Sequence, residues 1–186
     1  MNPEPPPASH EPQTITNTDD ANAYARALVA QYQLPLLRYA ARLLNGDADR
    51  ARDIVQDTFV RLIGPPRAEV DGHLAEWLFT VCRHRALDTL RKEGRMKRFT
   101  EAQADRLATD APRPGHTLET EETHAAMLRL IAALTAPEQE VIRLKFQNGF
   151  SYKEISRITE LSVTHVGVLL HNALHRLRAD YAAQKT

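Results

Sequence analysis

One cysteine in 186 residues, Cys82, leaves no partner for an intrachain disulfide and none for a paired-cysteine metal motif. Seven glycines are too few for a glycine-rich phosphate loop, and none stands in such a run, so a nucleotide-binding fold has little support. No apolar stretch approaches the length of a membrane span. The N-terminal residues carry no basic segment followed by an apolar run, so no secretory leader is expected and the cytoplasm is the expected location. No run of alternating polarity marks a strand. No Ser-His-Asp grouping and no HExxH is present, so an enzyme is not expected. His171 and His175 stand one helical turn apart, but no third ligand has suitable spacing, so no metal and no cofactor is expected.

Net charge is also missing: 24 Lys and Arg balance 24 Asp and Glu, yet they are unevenly placed. Residues 23–99 hold fourteen bases against nine acids, and residues 124–186 hold eight against five. Residues 100–123 between them hold two bases and six acids. Two mildly basic blocks flank an acidic stretch, and binding partners respond to local potential rather than to the total.

What is present is helical periodicity, and it predicts an all-α chain of two small domains joined by a linker. Five prolines within residues 1–19 exclude a helix there, and this segment reads as a disordered tail. In 20–99, Leu28, Tyr32, Leu36, Tyr39 and Leu43 recur at three- and four-residue steps, the apolar face of a first helix that contains Pro35. Gly46 is placed to end it, and Asp47 or Asp49 to cap the next. Ile54, Val55, Thr58, Phe59 and Leu62 line a second helix, stopped by Gly64-Pro65-Pro66. A third carries Leu74, Trp77, Leu78, Val81, Cys82, Leu87 and Leu90 inward. Residues 100–119, with Pro112, Pro114 and Gly115, read as the linker.

In 120–182, Met127, Leu128, Ile131 and Leu134 open a second apolar rhythm. Two capping boxes follow, Thr135 with Glu138 and Ser151 with Glu154, in which a hydroxyl accepts from a free N–H and the glutamate reaches back. Gly149 separates them. Ser162 is placed to cap a last helix bearing Val166, Leu169, Leu170, Ala173, Leu174 and Leu177 inward. A short helix, a tight turn at Glu160–Leu161 and a longer helix make a helix-turn-helix candidate, whose second helix can enter a major groove.

Three surfaces stand out. Between 83 and 98 the third helix places seven bases against two acids, with Trp77 and Phe79 nearby, a pattern suited to phosphates and unstacked bases. The blander account is a solvated helix end favoured by the helix dipole. The second is the helix-turn-helix, whose bland equivalent is a packing hairpin. On the second helix Asp49, Asp53, Gln56 and Asp57 face outward beside Arg50, Arg52 and Arg61. That mixture is a solvated or partner-facing surface rather than an acid-base pair.

These residues resemble a known family. DIVQDTFVRL at 53–62, EWLFTVCRHRALDTLR at 76–91, LTAPEQEVI at 134–142 and SYKEIS at 151–156 are similar, in this order and spacing, to the sigma-70 factors, in particular their compact extracytoplasmic-function (ECF) group. The resemblance implies that 20–99 is region 2 and 120–182 region 4 of a sigma factor that binds bacterial core RNA polymerase and directs initiation at promoter DNA. It implies polymerase docking through Asp49, Asp53, Gln56, Asp57 and Arg61. It implies −10 reading and melting through Trp77, Thr80, Arg83, His84, Arg91 and Lys92, with the loop 64–73 and His84 forming a pocket for a flipped base. It implies −35 contacts through Ser151, Tyr152, Lys153, Thr164, His165, Gly167, Val168, His171, Asn172 and Arg176. An anti-sigma factor is an implied further partner. Family members often carry Asn at the position of His84 and commonly Lys or Arg at those of Gly167, Leu169 and Asn172. The competing expectations are a helix-turn-helix regulator without initiation activity and a pure interaction protein.

Overall fold

The computed structural model describes residues 16–62, 72–97 and 126–183. Residues 1–15 of the expected tail over 1–19, most of the loop 64–73 and the linker 100–119 lie outside the described residues; residues 16–19 are not tail but the first turn of a helix, since the last of the five prolines is Pro12. Among the described residues every regular element is a helix. The N-terminal part holds α1 (Thr16–Leu43), α2 (Ala48–Leu62) and α3 (Leu74–Lys97). Helical turns over 126–132 lead into α4 (Ala136–Phe146), α5 (Tyr152–Thr159) and α6 (Val163–Ala183).

Local chemistry sets the boundaries. Helix α1 runs through Pro35, whose missing N–H removes one rung of the ladder. It ends where Asn45 and Gly46 take left-handed backbone, and the Gly46 N–H reaches back to the Ala41 carbonyl at 2.7 Å. Asp47, not Asp49, caps α2: its carboxylate accepts from the Arg50 N–H at 3.0 Å. Gly149 takes left-handed backbone between α4 and α5. Ser151 accepts from the Glu154 N–H at 3.3 Å while Glu154 accepts from the Ser151 N–H at 2.7 Å, closing the expected box. At Thr135 the hydroxyl and the N–H both donate to Glu138, at 2.7 and 3.0 Å. Ser162 caps α6 by accepting from the His165 N–H at 3.1 Å.

Helices α1, α2 and α3 pack against one another over Leu36, Ala40, Leu44, Ala51, Ile54, Val55, Leu78, Cys82 and Ala86, all buried. The C-terminal helices enclose Leu130, Ile131, Leu134, Val141, Leu144, Ile155, Ile158, Val166 and Leu170. Met127, expected inward, is 38% exposed, and Leu130 fills the buried place instead. Leu169 packs against the core.

The two cores are continuous. Helix α3 lies against α5 as well as against α1 and α2. Nothing in the hydrophobic periodicity pointed to this, because α3 has two buried faces. Leu78, Cys82 and Ala86 serve its own bundle, while Glu76 and Phe79 are buried on the side that meets the C-terminal domain.

The caps give a stability prediction. Hydrogen bonds from Thr135, hydroxyl and then N–H, hold the Glu138 carboxyl below its ordinary value of 4.5, and those from Ser151 do the same for Glu154. A depressed folded pKa means that the stabilisation is fully present above the unfolded value and is lost as pH falls through the native one. Denaturant titrations at a series of pH values should therefore show stability declining below about pH 4.5, and Ser151→Ala should lose about 1 kcal/mol at neutral pH.

Candidate nucleic-acid and polymerase interface

On α2, Asp49, Asp53, Gln56, Asp57 and Arg61 are all exposed, while Ala51, Ile54, Val55 and Thr58 are buried beneath them. Hydrophobic spacing alone separates the two faces. Asp49 pairs with Arg52 at 2.9 Å, and Asp57 pairs with Arg85 of α3. The Asp57–Arg85 contact ties the carboxylate row of α2 to the basic helix behind it, although both side chains stay partly solvated.

On α3 the expected −10 residues separate into two groups. Arg91 and Lys92 are exposed, Arg91 beside Asp88 at 3.4 Å. Trp77 is half-buried against the core, and the Thr80 hydroxyl donates to the Glu76 carbonyl at 2.8 Å. Arg83 and His84 instead turn to the C-terminal domain. Arg83 Nε donates to Glu140 Oε1 at 2.9 Å, with both side chains only 14% and 13% exposed. His84 Nε2 lies 2.9 Å from Glu160 Oε1.

Three further contacts complete this seam. The Tyr39 hydroxyl donates to the same Glu140 oxygen at 2.7 Å. Burial, followed by the Glu140 charge, pushes the Tyr39 phenol well above its ordinary value, so it stays a donor. Phe79, expected beside the basic surface, stands edge-on to Phe150 at 5.0 Å between ring centres, and the tilted Tyr39 ring lies 5.1 Å from it. Arg157 of α5 donates to the buried Glu76 carboxylate at 2.6 Å. Glu140, Phe150, Arg157 and Glu160 were not singled out by the sequence. The only available signal was that Glu76, Phe79 and Arg83 share one helical stripe, but two acids among bases read as surface.

In the C-terminal domain Ser151, Tyr152 and Lys153 are exposed at the start of α5. The Lys145 ammonium lies over the Tyr152 ring at 5.6 Å. On α6, Thr164, His165, Val168, His171 and Asn172 are exposed, opposite the buried Val166, Leu170 and Ala173. Gly167 is half-buried, and a Cβ there would meet only the Tyr152 ring edge at 3.8 Å, so packing does not demand glycine. Arg176 reaches back to Glu138 at 3.4 Å. The exposed stripe over the first two turns of α6 thus carries no Lys or Arg.

Among the described residues no three His, Cys, Asp or Glu side chains come close enough to hold a metal ion, and no helix is long and apolar enough to cross a membrane. Cys82 is buried, and desolvation pushes its thiol up to about 12, as suits a core residue.

Comparison with known proteins assigns both halves. Residues 28–96 match the family description "Sigma-70 region 2", and residues 124–177 match "Sigma-70, region 4". The chain is 34% identical over 165 residues to the ECF RNA polymerase sigma factor SigL of Mycobacterium tuberculosis, covering 84% of this chain and 88% of that protein. It is 32% identical over 149 residues to the ECF RNA polymerase sigma factor EcfG of Rhodopseudomonas palustris, covering 78% and 79%. Among solved structures, the sigma factor RpoE of Bartonella quintana, in complex with the anti-sigma factor NepR, shares the fold with a TM-score of 0.67. That match has 23% identity and covers 83% of this chain and 94% of that one.

Proposed function

From the premise that the chain belongs to the ECF RNA polymerase sigma factors of the sigma-70 family, which direct promoter-specific transcription initiation, we propose how its residues divide that work. A helix-turn-helix regulator without initiation activity would have no use for region 2, which is matched here along with region 4. Region 2 occupies 20–99 and region 4 occupies 120–182. The chain acts by binding alone, in the cytoplasm with polymerase and DNA, and an anti-sigma factor is a further partner. The sigma factor RpoE, solved in complex with the anti-sigma factor NepR, supports that last reading.

The observation that carries the assignment is the separation of three exposed surfaces on three helices: carboxylates on α2, bases on α3 and a hydrogen-bonding stripe on α6. Asp49, Asp53, Gln56, Asp57 and Arg61 dock on core polymerase. Trp77, Thr80, Arg83, His84, Arg91 and Lys92 engage −10 DNA. There the cations neutralise phosphates and a base leaves the stack at a cost of a few kcal/mol, offset by stacking and hydrogen bonds. Polymerase holds the two DNA-reading domains on one promoter, so that two weak contacts act together.

Helix α6 reads −35 DNA with an unusual chemistry. Without Lys or Arg on the stripe, phosphate attraction there is small and base-edge contacts decide. The Asn172 amide suits the paired donor and acceptor of adenine, and His171 offers a ring donor. Val168, 50% exposed amid polar neighbours, presents methyl groups whose natural counterpart in the major groove is the C5-methyl of thymine. Gly167 costs up to about 1 kcal/mol of helix propensity and leaves the surface beside Val168 low.

Three measurements follow. In a titration against core polymerase, Asp53→Arg with Asp57→Arg should raise Kd at least about tenfold, or 1.4 kcal/mol, with the circular dichroism spectrum unchanged; unaltered affinity removes the docking assignment. Arg91→Ala with Lys92→Ala should slow open-complex formation more than it weakens core binding, and equal losses would argue against −10 contact. Val168→Ala and replacement of −35 thymines by deoxyuridine should each weaken promoter binding by the holoenzyme, and together should cost no more than either alone. Additive losses would mean that valine and methyl do not meet.

A further inference from the structure

Helix α6 displays imidazoles where it displays no permanent cation. From Val163 to His175 it carries no Lys or Arg, and its exposed stripe runs through Thr164, His165, Val168, His171, Asn172 and His175. Steps of three and four sort this stripe into two rows that cross at Val168. His165 and Asn172 stand on one row, and Thr164, His171 and His175 on the other, so imidazoles flank the valine on both sides. Among the described residues no hydrogen bond or ion pair engages any of the three rings. The charged groups of the helices packed on α6 are mostly engaged elsewhere. On α4, Glu138 meets Thr135 and Arg176, Glu140 meets Tyr39 and Arg83, buried Arg143 bonds Gln139, and Lys145 bonds the Phe150 carbonyl. On α5, Glu154 closes its own cap, Arg157 meets Glu76, and Lys153 is exposed; Glu160 in the following turn meets His84. On α6 itself no acid lies within one helical turn of any of the three rings, and Arg178 stands one turn beyond His175. Nothing on this helix therefore gives an imidazolium a partner before DNA does.

We infer that His165, His171 and His175 are proton-dependent phosphate ligands: α6 takes up protons as it enters −35 DNA, and promoter binding strengthens as pH falls. The inference rests on the −35 assignment of α6 and adds His175 to the DNA-facing groups. An imidazole changes its charge between about pH 5 and 8. Neutral, it has one N–H to donate; protonated, it has two and a full charge. A phosphate beside the ring favours the charged form, so the DNA-bound helix holds the proton more tightly than the free helix. By linkage, binding then gains as pH falls, and the gain is lost as pH rises through the bound-state value. Each proton taken up is worth up to about tenfold in Kd per pH unit. His171 and His175, one turn apart, repel each other when both are charged, and Arg178 opposes a charge on His175, so phosphates must stand close for the second proton to bind. Where the rings are neutral, α6 keeps its base-edge contacts through Asn172 and Val168. Sequence reading thus stays constant while phosphate attraction follows pH. The fold does not change over this window, since the capping carboxylates Glu138 and Glu154 are held below their ordinary 4.5.

The test uses the full chain assembled with core polymerase. The probe is a fluorescent duplex that this holoenzyme selects, near neutral pH, from a pool randomised across the −35 region. Anisotropy titrations between about pH 8 and about pH 6, each at several salt concentrations, compare the native chain with His165→Gln, His171→Gln and His175→Gln combined. That variant cancels the pH response of the polymerase and of every other group in the chain. The native Kd should tighten at least about tenfold more than the variant's over this span. The slope of log K against log salt should steepen by about one per proton taken up, in the native chain alone. His165→Arg, His171→Arg and His175→Arg together should bring the low-pH affinity to both ends of the range. Equal pH responses of the native chain and the Gln variant overturn the inference. Unequal responses with an unchanged salt slope overturn it too, because the rings then do not meet phosphates. Asn172→Ala and replacement of the selected −35 bases separate either result from failure of the −35 assignment. If one of these still weakens binding, only the proton uptake falls; if neither does, the −35 reading of α6 falls with it. All three positions are exposed, so the circular dichroism spectrum should not change. Should the triple variant fail to fold, His171→Gln alone reads the same two signals with a smaller shift.

Discussion

The Glu140 carboxylate is the point on which the arrangement of the whole molecule turns. One of its oxygens accepts from both the Tyr39 hydroxyl of α1 and the Arg83 guanidinium of α3, while Glu140 itself belongs to α4. An ionised carboxylate that is largely withdrawn from water needs such donors, because an unpaired charge there would cost several kcal/mol. The donors exist only if α4 lies across the open side of the N-terminal bundle. That placement brings Phe150 onto Phe79 and Arg157 onto Glu76, and buries what would otherwise be an exposed ring and an exposed acid. The geometry of the seam thus follows from satisfying one charge, and the aromatic contact adds area to it.

The constraint sets which functional surfaces are free and which are engaged. The carboxylate row of α2, Arg91, Lys92 and the stripe of α6 are exposed to solvent. Arg83 and His84 are instead paired with Glu140 and Glu160. The contact between Asp57 of α2 and Arg85 of α3 adds a direct link between the two helices.

The C-terminal domain illustrates how local rules and a family pattern can diverge. Its caps, its turn and its buried stripe all follow ordinary helix chemistry, and they build a helix-turn-helix whatever stands on the exposed face. That face is then free to vary. Here it offers an amide, imidazoles and a valine, without disturbing the scaffold beneath.

Much of this was legible in the chain. The three-and-four spacing of Leu28, Tyr32, Leu36, Tyr39 and Leu43 announced the first helix and its inward face, because burial on one side of a helix leaves a period of 3.6. Ser151 with Glu154, and Thr135 with Glu138, marked helix starts because an N-terminal N–H must find an acceptor nearby in sequence. The exposed carboxylates of α2 and the exposed bases of α3 were likewise readable as surfaces. Local choices were less certain: Asp47 rather than Asp49 is the cap, and Leu130 rather than Met127 the buried residue, since each depends on a shift of one turn or less. What the tertiary structure alone decided was the meeting of Tyr39, Phe79 and Arg83 with Glu140 and Phe150, and of His84 with Glu160. Those partners stand 57 to 101 residues apart in the hydrogen bonds that join them. Periodicity reports only whether a side chain faces into or away from its own helix bundle. It carries no information about which distant carboxylate will stand opposite an arginine, because that is settled by the three-dimensional balance of desolvation against pairing.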